Sequence, residues 1–544
     1  MKQSGIDSIQ ARLDKGVLLL PAAVCATLYV WNVWRVWNFT LDDSYIFFRY
    51  AVNFAEGHGF RFNPGDAMPT EGITSFLWAL MLGLTSAASL DVVPISKLLG
   101  VACSLGTAAL IGLSVAQLSK DWRESGRGMD VTWPIACLAG TLFLALGPTA
   151  VHSVSGMETS LACVLVGAVS YGMLTLCRGE GRPHTSVLWG VSLLLLGMTR
   201  PELNLFCIAC VVMVTACRSQ RRKGLAGSTL AIVLCSYILP GALYFLWRWL
   251  YFGTFLPLPY YLKVSGAGLN GLGSVAAFVT WPVVAVSIGI LAVGFGFRYA
   301  YALVLPALLV VLFFLKPAHL MGIEHRFLYP MIPCLLIALF GDLPRIAAAI
   351  WPRRTEPSER DSSRVNSMRI LLERPVTKIA AVGCFLILLE FYGGRDMSGS
   401  IEYSRRLEES YGSLARFLQE QPVTEGRPVL ALGSVGLVPF RTDWHTIDVF
   451  GLCNRKIALD KSRRREIVWD SAPDAVVVIS GRENEVSVMK GGHWADDPDF
   501  YVDIYREALR KGYVVRKKWC CGSNDWLWLM MQPRGRGQTW LGAG

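Results

Sequence analysis

Two adjacent carboxylates, Asp42 and Asp43, stand directly after the first long apolar run of the chain. An Asp just before a helix can cap its free N–H groups. A pair of acids beside hydrocarbon is costlier to keep, and such groups tend to be functional. One carboxylate could hold structure while the other takes a proton, or the two could share a divalent cation. Further along come Glu158 in SGMETSL, Arg200 and Glu202 in TRPE, Lys263, and the neighbours His325 and Arg326. Cations of this kind can stabilise a leaving anion. Each has a plainer role as well. Arg326 could snorkel to lipid headgroups, Lys263 could be a solvated charge, and Arg200 with Glu202 could be an internal ion pair fixing two helices. Glu158 could cap the helix it precedes, and Arg248, among Trp247, Trp249 and Tyr251, reads as an interfacial anchor.

The elements that must carry these residues are mostly membrane spans. The 544 residues are 53% hydrophobic and 17% charged, with a mean hydropathy of +0.41. Soluble proteins carry roughly 25% charge, so a single soluble globule is excluded. The alternation of long apolar runs with short polar breaks excludes a disordered chain. A net charge of +11 resides between the apolar runs, which suits orientation in a bilayer and not nucleic-acid binding. The run from Val17 to about Trp37 is expected to be an anchor rather than a cleaved signal. Further spans are expected around residues 94–117, 132–151, 159–177, 185–198, 201–217, 227–250, 273–295, 299–315, 327–343 and 377–392. Counting Ile73–Ala88 as a span would place Lys120, Arg123, Arg127 and the cluster Arg218, Arg221, Arg222, Lys223 outside. As an interfacial or re-entrant helix it leaves them in the cytoplasm, together with Arg353, Arg354, Arg360, Arg364, Arg369 and Arg374. The second arrangement predicts about 11 spans, an inside N-terminus and an outside C-terminus. It exports the loop of about residues 38–93, the turn His152–Glu158, the loop after Tyr251 and the loop Lys316–Arg326 to one side.

Within the first of these loops, Ile46, Tyr50 and Phe54 share one helical face, and Gly57 can end that helix. From Gly393 onward the composition becomes ordinary. Strands are predicted at VLALGSV (429–435) and DAVVVIS (474–480), a helix over Tyr403–Gln419, and a hairpin over Lys511–Trp528. The expected organisation is a membrane domain over 1–392 and an α/β domain over 393–544. Of the 14 cysteines, 11 lie in or beside apolar runs as small hydrophobes; Cys453 could pair with Cys520 or Cys521. GSVG (433–436) lacks the spacing of a dinucleotide loop, and His58, His184, His445 and His493 show no ligand spacing.

DDSYIFFRYAVNFAEGHGFRFNPGD followed by EGITSFLW resembles the first periplasmic loop of polytopic GT-C glycosyltransferases, with the closest likeness to the mycobacterial terminal β-arabinofuranosyltransferase family and its Gram-negative relatives. SGMETSL (155–161), TRPE (199–202), YFGTFLPLPYYLK (251–263), RFLYP (326–330) and DVFGLCN (448–454) follow in the order of that family. LPLPYY departs from it where an Asn is expected after the first Pro, and GLCN where an Asp is usual. The resemblance implies a polytopic α-helical GT-C membrane protein with a periplasmic α/β domain. It also implies transfer of a single sugar, arabinofuranose, from a polyprenyl-phosphate donor to an acceptor hydroxyl on a surface glycan or a protein such as pilin. On this basis Asp42 is the base and Asp43 its support or a cation ligand. Arg200, Lys263, His325 and Arg326 meet the donor phosphate, and Glu71, Glu158, Glu202 and Tyr260 position substrate. Rival expectations are a transporter or flippase of a lipid-linked glycan, and an en bloc oligosaccharide ligase. The transporter would place ionisable groups near the bilayer midplane, where they are scarce here.

Overall fold

A backbone in hydrocarbon must satisfy its own N–H and C=O groups, so the long apolar runs form helices. The computed structural model describes residues 2–124, 132–179, 182–221, 223–263, 268–293, 300–319, 321–350, 381–388 (without 382 and 386), 397–421, 427–488, 497–522 and 525–533. Six helical segments among them are long and apolar enough to cross a membrane: Leu19–Val36, Val92–Ser119, Thr159–Arg178, Pro201–Gln220, Gly227–Phe252 and Ile323–Gly341. Two further pairs, Trp133–Ala145 with Gly147–Val154 and Leu272–Val279 with Pro282–Ala292, are bent by 64° and 68°, and counting each as one span gives eight. The expectation of about 11 is therefore not matched among the described residues. The run 299–315 forms only the short helix Tyr301–Phe313, and most of 377–392 lies outside the described residues, as does the basic stretch Arg353–Arg374. The segment Ile73–Ala88 contains the 12-residue helix Phe76–Ala87. At 1.5 Å per residue it spans roughly 18 Å, short of the roughly 30 Å of a bilayer core.

Small residues let the helices approach closely. We label α1 (Lys2–Val36), α2 (Asp42–Ala55), α3 (Phe76–Ala87), α4 (Val92–Glu124), α5 (Thr132–Ala145), α6 (Gly147–Val154), α7 (Thr159–Arg178) and α8 (Pro183–Thr199). A Cβ on Gly140 of α5 would strike the carbonyl oxygen of Ala108 in α4, and one on Gly100 would strike that of Ser153 in α6. Side-chain hydrogen bonds tie the same helices together. The Tyr29 and Ser153 hydroxyls lie 2.9 Å apart, Ser153 and Ser104 2.8 Å, and Ser104 donates to Ser160 at 3.2 Å. At the end of α1, Lys97 Nζ donates to the carbonyls of Trp37 (2.5 Å) and Phe39 (2.9 Å). A cation suits these last carbonyls, and it fixes the chain where it turns into α2.

The C-terminal part is a five-stranded sheet in the order β2-β1-β3-β5-β4. The strands are β1 (Val429–Leu432), β2 (His445–Asp448), β3 (Ala475–Ser480), β4 (Val514–Cys520) and β5 (Trp526–Met531). β1 pairs in parallel with β2 and β3, while β5 runs antiparallel to β3 and β4. The apolar run AVVVIS occupies the centre, as a strand covered on both faces should. VVRKKWC forms an edge whose lysines discourage further pairing. Cys453, Cys520 and Cys521 are free thiols, so the disulfide considered from the sequence is not formed. Cys453 instead packs its sulfur against Gly72.

Candidate active site

The site begins at the turn Ser155–Glu158. Leu41 N–H donates to Ser155 O at 3.1 Å and the Ser44 hydroxyl to the same oxygen at 2.6 Å, seating the first turn of α2 on this turn. Gly156 has φ +80°, a left-handed conformation that only glycine adopts at no cost. A Cβ there would lie 2.8 Å from Phe48 and 2.9 Å from Ser44. Trp78 Nε1 of α3 donates to Gly156 O at 2.9 Å and closes the turn from the other side.

Glu158 follows at the head of α7, where it makes no side-chain cap. Its carboxylate goes to arginines from two other elements. Arg200, after α8, donates to Glu158 Oε1 through Nη2 at 2.8 Å and through Nε at 3.0 Å. Arg326 Nη2 lies 3.5 Å from the same oxygen, and Arg326 Nη1 donates to Asp43 Oδ2 at 3.3 Å. Glu202 stands at 3.7 Å from Arg200, so the ion pair expected within TRPE is secondary to the one with Glu158. Phe327 lies against both guanidiniums, with ring distances of 5.4 Å to Arg200 and 5.3 Å to Arg326. Burial pushes the Glu158 carboxyl up, but Arg326 and Arg200 outweigh it and bring the group down to about 2. Among the described residues, Glu158 Oε2, Thr159 Oγ1 and Arg326 Nε are buried and have no hydrogen-bond partner. Unpaired buried polar atoms are costly, and Glu158 and Arg326, which face each other, carry one each.

Arg326 reaches this cluster from a strained loop. Met321, Glu324 and His325 have φ of 55°, 52° and 57°, conformations that cost non-glycine residues and concentrate at functional sites. His325, expected to meet phosphate, packs its ring against Phe278 and Trp281 at 5.4 Å and 5.8 Å. The loop uses it as an aromatic wedge beside Arg326.

The carboxylates of Asp42 and Asp43 part company. Asp43 is 22% exposed and faces Arg326. Asp42 turns the other way and accepts from the Leu437 N–H at 2.9 Å, while its own N–H donates to the Tyr403 hydroxyl at 3.1 Å. Burial pushes the Asp42 carboxyl up to about 7, against the pull of the Leu437 amide. The two carboxylates thus have different partners, and no group of three or more His, Cys, Asp or Glu side chains that could hold a metal ion occurs among the described residues. Arg49, about two turns further along α2, is buried. It donates to Phe62 O (2.6 Å), Asn63 Oδ1 (3.1 Å), Trp444 O (3.2 Å), Thr442 O (3.5 Å) and Pro439 O. Asn63 in turn exchanges two hydrogen bonds with the backbone of Thr446 in β2, at 3.0 and 3.1 Å. The first long loop and the C-terminal sheet are thus bolted together around Asp42.

Glu71 and Arg248 form a second buried ion pair. Arg248 also donates to Thr254 O at 3.1 Å and to Phe255 O. The expectation of an interfacial anchor is corrected here: a buried Glu71 needs a counter-charge, and Arg248 supplies it. The pair borders a cavity of about 220 Å³ whose apolar walls include Leu194, Gly197 and Gly241, with Asn204 and Tyr237 beside them. Tyr260 is 40% exposed and packs edge-on against Tyr261 at 6.4 Å. Lys263 ends the short helix Leu258–Lys263, and its side chain lies outside what is described. Asp43, Glu158, Arg200, Glu202 and Arg326 are therefore gathered, Asp42 adjoins them, and Glu71 and Tyr260 stand apart.

The chain shares its fold with ArnT. It superposes on ArnT from Cupriavidus metallidurans bound to undecaprenyl phosphate with a TM-score of 0.57 at 13% identity, over 95% of this chain and 98% of that one. For the apo state of ArnT the TM-score is 0.56 at 13% identity, over 95% and 97%. The archaeal oligosaccharyltransferase AglB from Archaeoglobus fulgidus, in complex with an inhibitory peptide and a dolichol-phosphate, matches with 0.46 at 9% identity, over 86% and 69%. Residues 399–535 match a family model described as a domain of unknown function, DUF8728. No curated protein matches the sequence. The polytopic helical fold with a C-terminal α/β sheet expected from the motifs is the fold observed, and it is the one shared with ArnT.

As in any fold of this kind, contacts distant in sequence escaped local inspection. Arg248 reads as an interfacial anchor and Arg49 carries no signal in the sequence, yet both are buried. For Arg248 a signal existed, because a lone Glu71 flanked by Thr70 and Gly72 before an apolar helix requires a cation.

Proposed function

We propose that this chain is an inverting glycosyltransferase that moves one sugar, arabinofuranose, from a polyprenyl-phosphate donor to an acceptor hydroxyl outside the cytoplasmic membrane. The observation that carries the proposal is the buried cluster of Asp43, Glu158, Arg200 and Arg326 beside Asp42, at the ends of apolar helices. ArnT, whose fold is shared, has been seen with undecaprenyl phosphate; we take the same class of carrier as donor here. A membrane-embedded chain has no nucleotide sugar on its outer side, so a lipid-carried donor supplies the sugar.

In the proposed reaction Asp42 accepts the proton of the acceptor hydroxyl while that oxygen forms a bond to the anomeric carbon. The bond from that carbon to the phosphate oxygen breaks, and its electron pair leaves with the polyprenyl phosphate. Arg326, whose Nε is unpaired, stabilises the growing negative charge, with Arg200 behind it. Lys263 is a further cation for the same phosphate. Asp43 holds Arg326 in place. The free oxygen of Glu158 suits a sugar hydroxyl, and Glu202 and Tyr260 are assigned to substrate contacts at the rim. The cavity bordered by Glu71 and Arg248 suits an isoprenoid tail. The acceptor is a surface glycan or a protein such as pilin, and no nucleic acid takes part.

Purified protein in detergent is given synthetic polyprenyl-phosphate arabinofuranose with an arabinan or pilin acceptor. Released polyprenyl phosphate and a glycosylated acceptor support the proposal. In proteoliposomes, movement of an intact lipid-linked glycan to the other leaflet without bond cleavage would replace it by a flippase, and transfer from only a preassembled oligosaccharide donor would replace it by a ligase.

A further inference from the structure

GSVG (433–436) follows β1 but has no part in nucleotide binding, and its packing assigns it another task. Gly436 lies directly against Asp42: a Cβ there would meet the Asp42 backbone oxygen and its carboxylate. The next residue, Leu437, donates its N–H to Asp42 Oδ1 at 2.9 Å, in a fully buried contact that bridges 395 residues of chain. Gly433, at the other end of the loop, is pinned between Tyr501 and Phe450, where a Cβ would come within 2.5 Å and 2.8 Å. Tyr403, from the helix Ser398–Leu407, accepts from the Asp42 N–H and packs on Phe39 at a ring distance of 5.9 Å. The backbone and the carboxylate of one residue are thus both held by the C-terminal part.

We infer that the Gly433–Gly436 loop of the C-terminal part is a positioning element of the active site, seating the Asp42 carboxylate so that one oxygen is fixed by Leu437 and the other is left to the acceptor. This rests on Asp42 as the base. The orientation of a base decides how much it contributes, since a misplacement of about 1 Å can cost on the order of 10²-fold in rate. Glycine at 436 is required by space, because any side chain would push the carboxylate from its seat.

Two measurements on the full-length protein test this. The first needs no substrate: amide hydrogen exchange over residues 433–441 is compared in the parent chain, Asp42→Ala and Asp42→Asn. Asp42→Ala should speed exchange of this segment tenfold or more, and Asp42→Asn, which keeps an acceptor oxygen for Leu437, should leave it near the parent rate. Parent-like exchange in Asp42→Ala would overturn the inference. The second measurement is turnover of Gly436→Ala, with Tyr403→Phe as the companion should the alanine variant fail to fold. Either should lower kcat tenfold or more at unchanged KM for the lipid donor, whereas parent-like kcat overturns the inference. A chain that transfers no sugar at all defeats the proposed function but leaves the exchange result to decide whether the loop seats Asp42.

Discussion

Asp42 and Asp43 are neighbours with the same side chain, and their surroundings give them opposite work. Asp43 meets a guanidinium, while Asp42 is buried against an amide and its carboxyl is pushed up to about 7 by that burial. A base must be ionised to act, so turnover should fall about tenfold per pH unit below about pH 7, and a rate profile over pH 5–9 checks this. Asp42→Asn should bind donor yet lose on the order of 10²-fold or more in turnover. The same shift carries a stability consequence. With a folded value of about 7 against the ordinary 3.8, the folded chain keeps a proton that the unfolded chain releases. Stability from this group therefore declines as pH rises from about 4 to about 7, and Asp42→Asn should melt above the parent at pH 8. Glu158 runs the other way. Held at about 2 against 4.5, it stabilises the fold above about pH 4.5 and ceases to do so as pH falls toward 2. Glu158→Gln leaves the buried guanidiniums of Arg200 and Arg326 only the more exposed Glu202 and Asp43 as counter-charges, and should cost up to about 3 kcal/mol, seen as a lowered melting temperature at pH 7.

At the scale of elements, the bundle is held by close helix approach more than by specific polar pairs. Gly140→Val would drive a branched side chain into the Ala108 carbonyl, and it should destabilise by about 1–3 kcal/mol. Thermal unfolding in detergent measures this, and no change in melting would refute the tight α4–α5 contact. Elements of this kind were legible in the sequence wherever periodicity or hydropathy was long. The anchor ending at Val36, the spans beginning at Val92 and Thr159, and strand β3 all appear where the apolar runs lie. Breaks within runs were not legible. Gly147 and Pro148 bend one apparent span by 64°, since a Pro at the second position suits a new helix start as well as a continuing one. The Tyr403–Gln419 helix likewise contains a π-helical turn over Glu408–Gly412 that no pattern announced.

At the scale of the molecule, orientation follows from where the positive charge lies. On the orientation we propose, with Arg218–Lys223 and Arg353–Arg374 inside, a membrane-impermeant thiol reagent should modify the exposed Cys520 in intact cells and leave an engineered Ser362→Cys untouched until the membrane is opened. Labelling at position 362 from outside would reverse the topology and remove the proposed site from the acceptor side. The site itself was half legible. Asp43, Glu158, Arg200 and Arg326 stood out as charges at the ends of apolar runs, and they are together. The partners of Asp42 in the C-terminal part did not, because a bond from Leu437 to Asp42 leaves no trace in the spacing of either segment.

The buried Arg49 shows what this arrangement means for a chain made from its N-terminus. Its contact with Pro439 spans 390 residues. At 5–20 residues per second, a ribosome needs roughly 20–80 s to supply those carbonyls after Arg49 has emerged. Through that interval the Arg49 guanidinium has Phe62 O and Asn63 Oδ1 to bond but not the carbonyls around Pro439, and Asp42 lacks the Leu437 amide, so α2 stays incompletely held while the helices that follow are made. The segment that completes the first loop is thus made some 390 residues after Arg49, and the Asp42 carboxylate takes its seat against the Leu437 amide only then.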